Sequence, residues 1–341
     1  MIPAQKSAAV ARALQQVFST NQPDDIRQLT KGQTQALVFA ISVRGSHYLL
    51  RINMHPHSIG PQRYFACMSS AAQAGLAPRV LYTSAEDEIV ITDFVDEVPF
   101  AADDALAHMP GVLRQLHGLP FFPDAPAHLN TTCTLLLNSG PAVEGFHAAF
   151  QKAVQAANAV SAETCRQLLA LHAELAAACP RNPSDLVSCH NDLFKPDNVL
   201  FDGKRVWLVD WEAAFRNNRY ADLAVAANLL VADDQQEHAF LTRYFNREPT
   251  PKELASLFLM RQLAHLFYAM AFLMLGAAGS PGDDPTMGFD QFRRRFWSGE
   301  VSLVGTGEKF TYGRVSLEQL LENVGRPRYR EALQIARSHT A

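Results

Sequence analysis

Charge is scarce in this chain, and neither sign dominates. Charged residues make up 19% of the 341, and 30 basic against 34 acidic side chains leave a net charge of −4. Without a basic surplus, neither a nucleic-acid backbone nor an anionic membrane surface is the expected partner. Cysteine is sparse and unpatterned. Cys67, Cys133, Cys165, Cys179 and Cys189 form no CxxC pair. That argues against a disulfide framework or a thiolate zinc site and suits a reducing compartment. No apolar run reaches the about 20 residues of a membrane span. The longest, LAHLFYAMAFLMLGAA at 263–278, includes His265 and reads as a buried core helix. The opening MIPAQKSAAVARALQQVF lacks the continuous apolar stretch of a signal peptide, so a cytoplasmic protein without membrane insertion is expected. No internal repeat or low-complexity segment is found.

What is present is a large apolar fraction, 48%, in a chain long enough for two lobes. Val10, Leu14, Val17 and Phe18 recur at helical spacing and predict an amphipathic first helix. ALVFAISV (36–43) and HYLLRIN (47–53) are β-rich runs joined by the tight RGS connection. PQRYFACMSSAAQAG (61–75) reads as a helix stopped at Gly75, with RVLYTS and EIVITDFV as two further strands around AEDE. The sum is a small antiparallel sheet with one inserted helix. Beyond about residue 96 the pattern turns helical, first over 105–119, where Pro110 and Gly111 predict a delayed start. Residues 120–145 read as a surface excursion, followed by helices in GFHAAFQKAVQAANAV and SAETCRQLLALHAELAAAC. One hairpin interrupts them, VLF-DG-KRVWLVD (199–210), with Asp202-Gly203 as its turn. Helical pattern resumes from Leu223 to about 278, then in FDQFRRRFW and a last helix near 316–337. The expected fold class is α+β, with an N-terminal lobe over 1–96 and a mainly helical lobe over 97–341.

The chemistry gathers in HNDLFKPDNVL (190–200) and the VDWE that follows. Asp192 falls in a loop after the apolar LVSC. Asn198 opens one hairpin strand and Asp210 closes the other. The tight turn brings both ends of the hairpin to one edge, so Asn198 and Asp210 are expected side by side as oxygen donors for a hard cation. A carboxylate facing an acceptor hydroxyl, beside a carboxylate–amide clip for Mg²⁺, is the minimum equipment for phosphoryl transfer. The bland alternative is a set of polar turn residues at the end of a buried strand.

CHNDL and LVDWEAAFRNNRYADLA resemble the catalytic core of the aminoglycoside phosphotransferase and choline kinase superfamily, relatives of the protein kinases that phosphorylate small molecules. The resemblance implies a two-lobed protein-kinase-like fold and dependence on ATP and Mg²⁺. It makes Asp192 the base or hydroxyl-orienting residue, Asn198 and Asp210 the Mg²⁺ ligands, and His190 and Asp222 structural. It extends more weakly into the first hundred residues. LTKGQTQALVFAIS is similar to the phosphate-covering loop, which puts Gly32 and Thr34 against the nucleotide. YLLRIN offers Arg51, where many members have Lys, for the α- and β-phosphates. ITDFV is similar to the hinge, whose backbone from Asp93 to Val95 binds adenine.

For the acceptor, the resemblance points to Trp211, Glu212 and Tyr268, with Trp297, Asp283 and Asp284 as further candidates. The HND and DWE forms favour an amino alcohol such as choline, ethanolamine or a thiamine-like compound, held by aromatic faces and carboxylates. An aminoglycoside or sugar kinase, or a nucleotide-binding pseudokinase regulator, are the alternatives. A protein kinase proper is disfavoured because no APE follows Asp210. A monomer or homodimer with a small-molecule alcohol as its partner is expected.

Three departures stand out. Asn198 lies six residues past Asp192 instead of five, which leaves Asp197 as a rival for the metal position. Lys31 and Gln35 stand where the family often has Gly and Asn. No acidic residue occurs from Pro61 to Arg79, where a partner for Arg51 is expected, and Gln62 is the nearest polar substitute.

Overall fold

The computed structural model describes residues 2–29, 36–54, 60–124, 133–138, 140–157, 160–179, 181–277 and 286–338. Helix α1 (Ala4–Phe18) precedes strands β1 (Asp25–Leu29), β2 (Leu37–Val43) and β3 (Ser46–Ile52). Helix α2 (Pro61–Gln73) is inserted before β4 (Val80–Ser84) and β5 (Ile89–Asp93). The five strands form one antiparallel sheet in the order β1-β2-β3-β5-β4. β1 adds to the strands read from sequence. It is an edge strand, DIRQL, that buries no residue fully and so gives little apolar signal. The apolar stripe of α1 (Ala9, Val10, Ala13, Leu14) packs with Phe39, Ile41, Leu50, Ile52, Ile89 and Ile91 of the sheet, as its periodicity predicts. Pro61 opens α2 at its first turn, where its missing N–H has no helical acceptor to lose. Gly75, at φ +75°, supplies the left-handed residue after it.

The remainder is mainly helical: α3 (Ala102–His117), α4 (Pro141–Ala156), α5 (Ala162–Ala178), then, after two ribbons, α6 (Arg219–Leu230), α7 (Asp234–Phe245), α8 (Pro251–Gly276), α9 (Phe289–Trp297), α10 (Thr306–Gly325) and α11 (Pro327–Arg337). Strand β6 (Leu186–Cys189) pairs with β9 (Phe215–Asn218), and β7 (Val199–Phe201) pairs with β8 (Val206–Leu208), both antiparallel. Helix α8 starts on a capping box between Thr250 and Glu253, with Pro251 as its first residue. It is long and apolar enough to cross a membrane, yet 83% of its apolar window is buried inside the protein. It is the core helix the sequence predicts.

Three expectations are corrected. Pro110 and Gly111 do not delay α3, which runs unbroken from Ala102. Pro110 removes the N–H that would serve the Leu106 carbonyl, and Arg243 Nη1 approaches that carbonyl instead at 3.4 Å. The last helix is two helices, because Gly325 ends α10 and Pro327 begins α11. The excursion over 120–145 is not wholly superficial: Phe122, Leu135 and Leu136 are buried in the large core.

Candidate active site

The site is assembled around the loop between β6 and β7. Asp222, 1% exposed on α6, accepts the backbone N–H groups of His190 and Asn191, each at 2.8 Å. His117 Nε2 of α3 lies 3.3 Å from the same carboxylate, and Tyr244 holds its Nδ1 at 2.8 Å. Burial works to raise the Asp222 carboxyl, but His117, His190 and the backbone donor outweigh it and hold it below the ordinary carboxylate value. Asn191 adopts φ +65°, a conformation its short polar side chain tolerates. Its amide donates to the carbonyls of Ala213 and Phe215, at 3.1 and 3.3 Å, while accepting from Asn217 at 2.6 Å. His190 donates through Nε2 to the Val209 carbonyl at 2.9 Å. The backbone beside Asp192 is thus fixed from three sides by buried hydrogen bonds.

The hairpin does what its turn predicts. The Asp202 carboxylate accepts the N–H groups of Lys204 and Arg205 and the Trp207 indole, and Gly203 sits at φ +88°. The ladder ends with the Val209 N–H donating to the Asn198 carbonyl at 3.0 Å, which sets Asn198 next to the residue before Asp210. Asn198 Nδ2 donates to the Asp192 carbonyl at 2.7 Å and to Asp192 Oδ2 at 3.1 Å. Asn198 is 4% exposed, whereas Asp197 is exposed. Lys195 Nζ donates to the same Asp192 oxygen at 2.9 Å. Burial pushes the Asp192 carboxyl up, Lys195 pulls it down and the Asp210 charge pushes it up again, leaving it above the ordinary value.

Arg51 of β3 completes the cluster. Its Nη1 donates to Asp210 Oδ1 at 3.1 Å, and its Nη2 pairs with Glu212. The partner missing from α2 is therefore replaced by carboxylates of the segment after β8. From α2 the guanidinium receives the Tyr64 ring, 5.9 Å away, instead of an acid. Neither Tyr64 nor Lys195 was singled out from the sequence. The aromatic position on α2 and the lysine inside the HND loop were the available signals.

Trp211 is corrected. It is 2% exposed, its indole N–H donates to the Leu208 carbonyl and its ring lies 4.7 Å from His190, so it packs beneath the loop instead of facing an acceptor. Tyr268 is also buried, behind Phe194 at 5.1 Å. At the hinge, the Phe94 N–H donates to the His47 carbonyl at 3.4 Å and the Asp93 carboxylate pairs with Arg79. A cavity of about 400 Å³ beside the hinge is lined by Tyr48, Arg79, Phe94, Val95 and Trp207 but by none of Arg51, Asp192, Asn198 or Asp210, so it is not the phosphate site. Gly32, Thr34, Lys31, Gln35, Asp283 and Asp284 lie outside the described residues.

A five-stranded sheet, a larger helical part and this loop together define a small-molecule kinase with a two-lobed, protein-kinase-like fold. A family model described as the phosphotransferase enzyme family matches residues 25–257, and the chain belongs to that family. Among solved structures, it is similar to a choline/ethanolamine kinase family protein from Mesorhizobium loti, with TM-score 0.58 and 19% identity over 98% of this chain and 99% of that one. It is also similar to the choline kinase of Streptococcus pneumoniae, with TM-score 0.55 and 14% identity over 86% and 97%. A spectinomycin phosphotransferase solved with ADP and spectinomycin aligns with TM-score 0.54 and 11% identity over 90% and 98%. No curated protein sequence matches the chain.

Proposed function

We propose that the protein transfers the γ-phosphoryl group of ATP, in the presence of Mg²⁺, to the hydroxyl of a small amino alcohol. One observation carries this reading. Asn198 commits its Nδ2 to Asp192, which leaves its Oδ1 free of that residue, and its backbone carbonyl pairs with Val209, the residue before Asp210. An amide oxygen and a carboxylate are hard donors of the type Mg²⁺ takes, so the residues present fit the ion. Bound by Asn198 and Asp210, Mg²⁺ would neutralise the charge of the phosphates.

The chain's own residues do the rest. Asp192 accepts a hydrogen bond from the acceptor hydroxyl and takes its proton as that oxygen attacks the γ-phosphorus. The bond from phosphorus to the bridging β–γ oxygen breaks and ADP leaves. Arg51 holds the α- and β-phosphates, Glu212 holds Arg51, and the Asp93 carbonyl and Val95 N–H hold adenine. Gly32 and Thr34 are assigned to the phosphates from sequence. The bound ADP of the spectinomycin phosphotransferase, which shares the fold, supports nucleotide binding here. The ring of the half-buried Phe194, two residues from Asp192, has the Lys195 ammonium 5.5 Å from its centre, an aromatic–cation pairing beside the site of the kind that supports an amino alcohol as acceptor.

Asp192→Ala is expected to lower kcat by about a thousandfold, within the range for loss of a general base, while nucleotide affinity stays near that of the wild type. Near-wild-type turnover in that variant overturns the mechanism. For the acceptor, thermal shifts with Mg²⁺ and a non-hydrolysable nucleotide should be largest for amino alcohols, since stabilisation follows concentration over Kd. A larger shift with aminoglycosides or sugars replaces the amino alcohol.

A further inference from the structure

The helical part holds a second cavity, of about 310 Å³, at the far end of α6 from the site loop. From Asp222 beneath that loop to Leu230 the helix rises about 12 Å, and none of Arg51, Asp192, Asn198 or Asp210 lines the cavity. Its volume suits a small molecule, since ligand sites run from roughly 300 to 1,000 Å³. Helix α8 contributes Phe258, Arg261, Gln262 and His265, spaced to share one helical face. The polar wall is fixed from within. Asn323 of α10 donates to Gln262 Oε1 at 2.9 Å, and Gln262 donates to the Phe258 carbonyl at 2.9 Å.

Four arginines and four acids line the space, so it carries no surplus of either sign. Most of them answer one another. Asp234 holds Arg326 and Arg328 at 2.7 and 2.6 Å, Asp290 holds Arg293, and Asp233 caps α7 by accepting the Gln236 N–H. Three groups are left with capacity. Arg261 commits Nε to Asn228 at 2.8 Å and Nη1 to Glu237 at 2.5 Å, and its Nη2 has no acceptor among the described residues. His265, 2% exposed, makes no hydrogen bond among the described residues. Burial and the Arg261 charge keep it neutral, with one N–H to donate. Glu322, exposed on α10 at the rim, forms no ion pair or hydrogen bond among the described residues.

A buried polar group without a partner costs free energy that a ligand removes. The like charges ask for the same remedy. Burial lowers the Arg293 guanidinium, Asp290 raises it, and the Arg294 and Arg261 charges lower it again, leaving it below its ordinary value. An anionic group beside Arg261 relieves that repulsion and takes the stronger, charge-assisted hydrogen bonds. Glu322 supplies the opposite sign at the mouth.

We infer that this cavity is a binding site for a small zwitterion, its anionic group on Arg261 and the His265 N–H and its ammonium on Glu322. An α-amino acid and a phosphorylated amino alcohol share that chemistry. The site does not depend on the phosphotransferase reading.

Calorimetric titrations of the full chain test it, run with Mg²⁺ and the β,γ-imido analogue of ATP to fill the nucleotide site. The probes are glycine and phosphoethanolamine, one for each source, with acetate and inorganic phosphate as the matching anions that lack an ammonium. At least one zwitterion is expected to bind, more tightly than its matching anion. Glu322→Gln should weaken it by about threefold to fivefold, the scale of one exposed ion pair, and leave the matching anion within twofold. His265→Leu should weaken zwitterion and anion alike, by about fivefold. The tighter zwitterion identifies the source. No binding of either zwitterion at about 10 mM overturns the site, as does an affinity that neither substitution changes. Equal loss of zwitterion and anion in Glu322→Gln overturns the assignment of the ammonium. If His265→Leu melts early, Glu322→Gln decides, because an exposed carboxylate is replaced without disturbing the core. Failure of the ATP analogue to bind counts against the phosphotransferase reading alone and leaves these titrations standing.

Discussion

Arg51 bonds to Asp210, 159 residues further along the chain, and that pairing shows how single residues decide this site. A planar guanidinium grips two carboxylates at once, whereas a lysine in its place would act as a point charge. The absent acid on α2 was visible in the sequence; its replacement by Asp210 and Glu212 was not, because the pairing depends on how two distant segments meet. Asp222 is the opposite case. The family resemblance implied a structural role for it, and it is the buried acceptor for two backbone N–H groups and for His117. Asp222→Asn puts an amide N–H against one of those donors. It is expected to lower unfolding free energy by about 2–3 kcal/mol, the scale of losing a charged hydrogen bond. A urea midpoint within error of the wild type would show that the carboxylate is not what holds the loop.

Among the elements, those closed by local chemistry were the legible ones. The hairpin of β7 and β8 follows from Asp202-Gly203, and the apolar run at 263–278 marks the buried part of α8. The capping-box start at Thr250 was not read, however, and the helical pattern from Leu223 divides into α6, α7 and α8. The unbroken α3 was missed because a carbonyl freed by Pro110 finds a donor, Arg243, on a different helix. The pairing of β6 with β9 was missed because the two strands are short and separated by the whole site loop. The packing of α8 against α10 was also beyond reach of the sequence, although it depends on two glycines. A Cβ on Gly313 would lie 2.5 Å from the Leu273 backbone nitrogen, and one on Gly276 would meet the Phe310 backbone. Gly313→Ala should therefore separate the two helices and cost about 1–3 kcal/mol, the range for overpacking, despite alanine's better helix propensity. A melting temperature equal to or above that of the wild type would contradict this close approach.

At the scale of the whole molecule, the described residues form two apolar cores. One lies between α1 and the sheet; the other runs through the helical part and takes in the buried face of α2, with Tyr64, Phe65, Cys67, Met68 and Ala71. In the second core His265, 2% exposed, faces the ring of Phe289 at 4.7 Å. Burial, helped by the Arg261 charge, pushes it down from the ordinary 6.5 to about 3. The unfolded chain protonates this imidazole below about pH 6.5 and the folded protein only near pH 3, so its contribution to stability is full above pH 6.5 and falls with pH towards 3. Between pH 7.5 and 5 the loss from this one group is about 2 kcal/mol. His265→Leu should remove that part of the pH dependence of urea unfolding, and an unchanged slope would contradict the assignment. The sequence by itself determined the succession of a small sheet and a mainly helical part, the hairpin, and the run from His190 to Asp210, because each rests on turns, caps and periodicities of neighbouring residues. Only the tertiary structure decided the partner of Arg51, the burial of Trp211, and the reach of Lys195 to Asp192. Those depend on which distant surfaces exclude water together, and no local pattern encodes that.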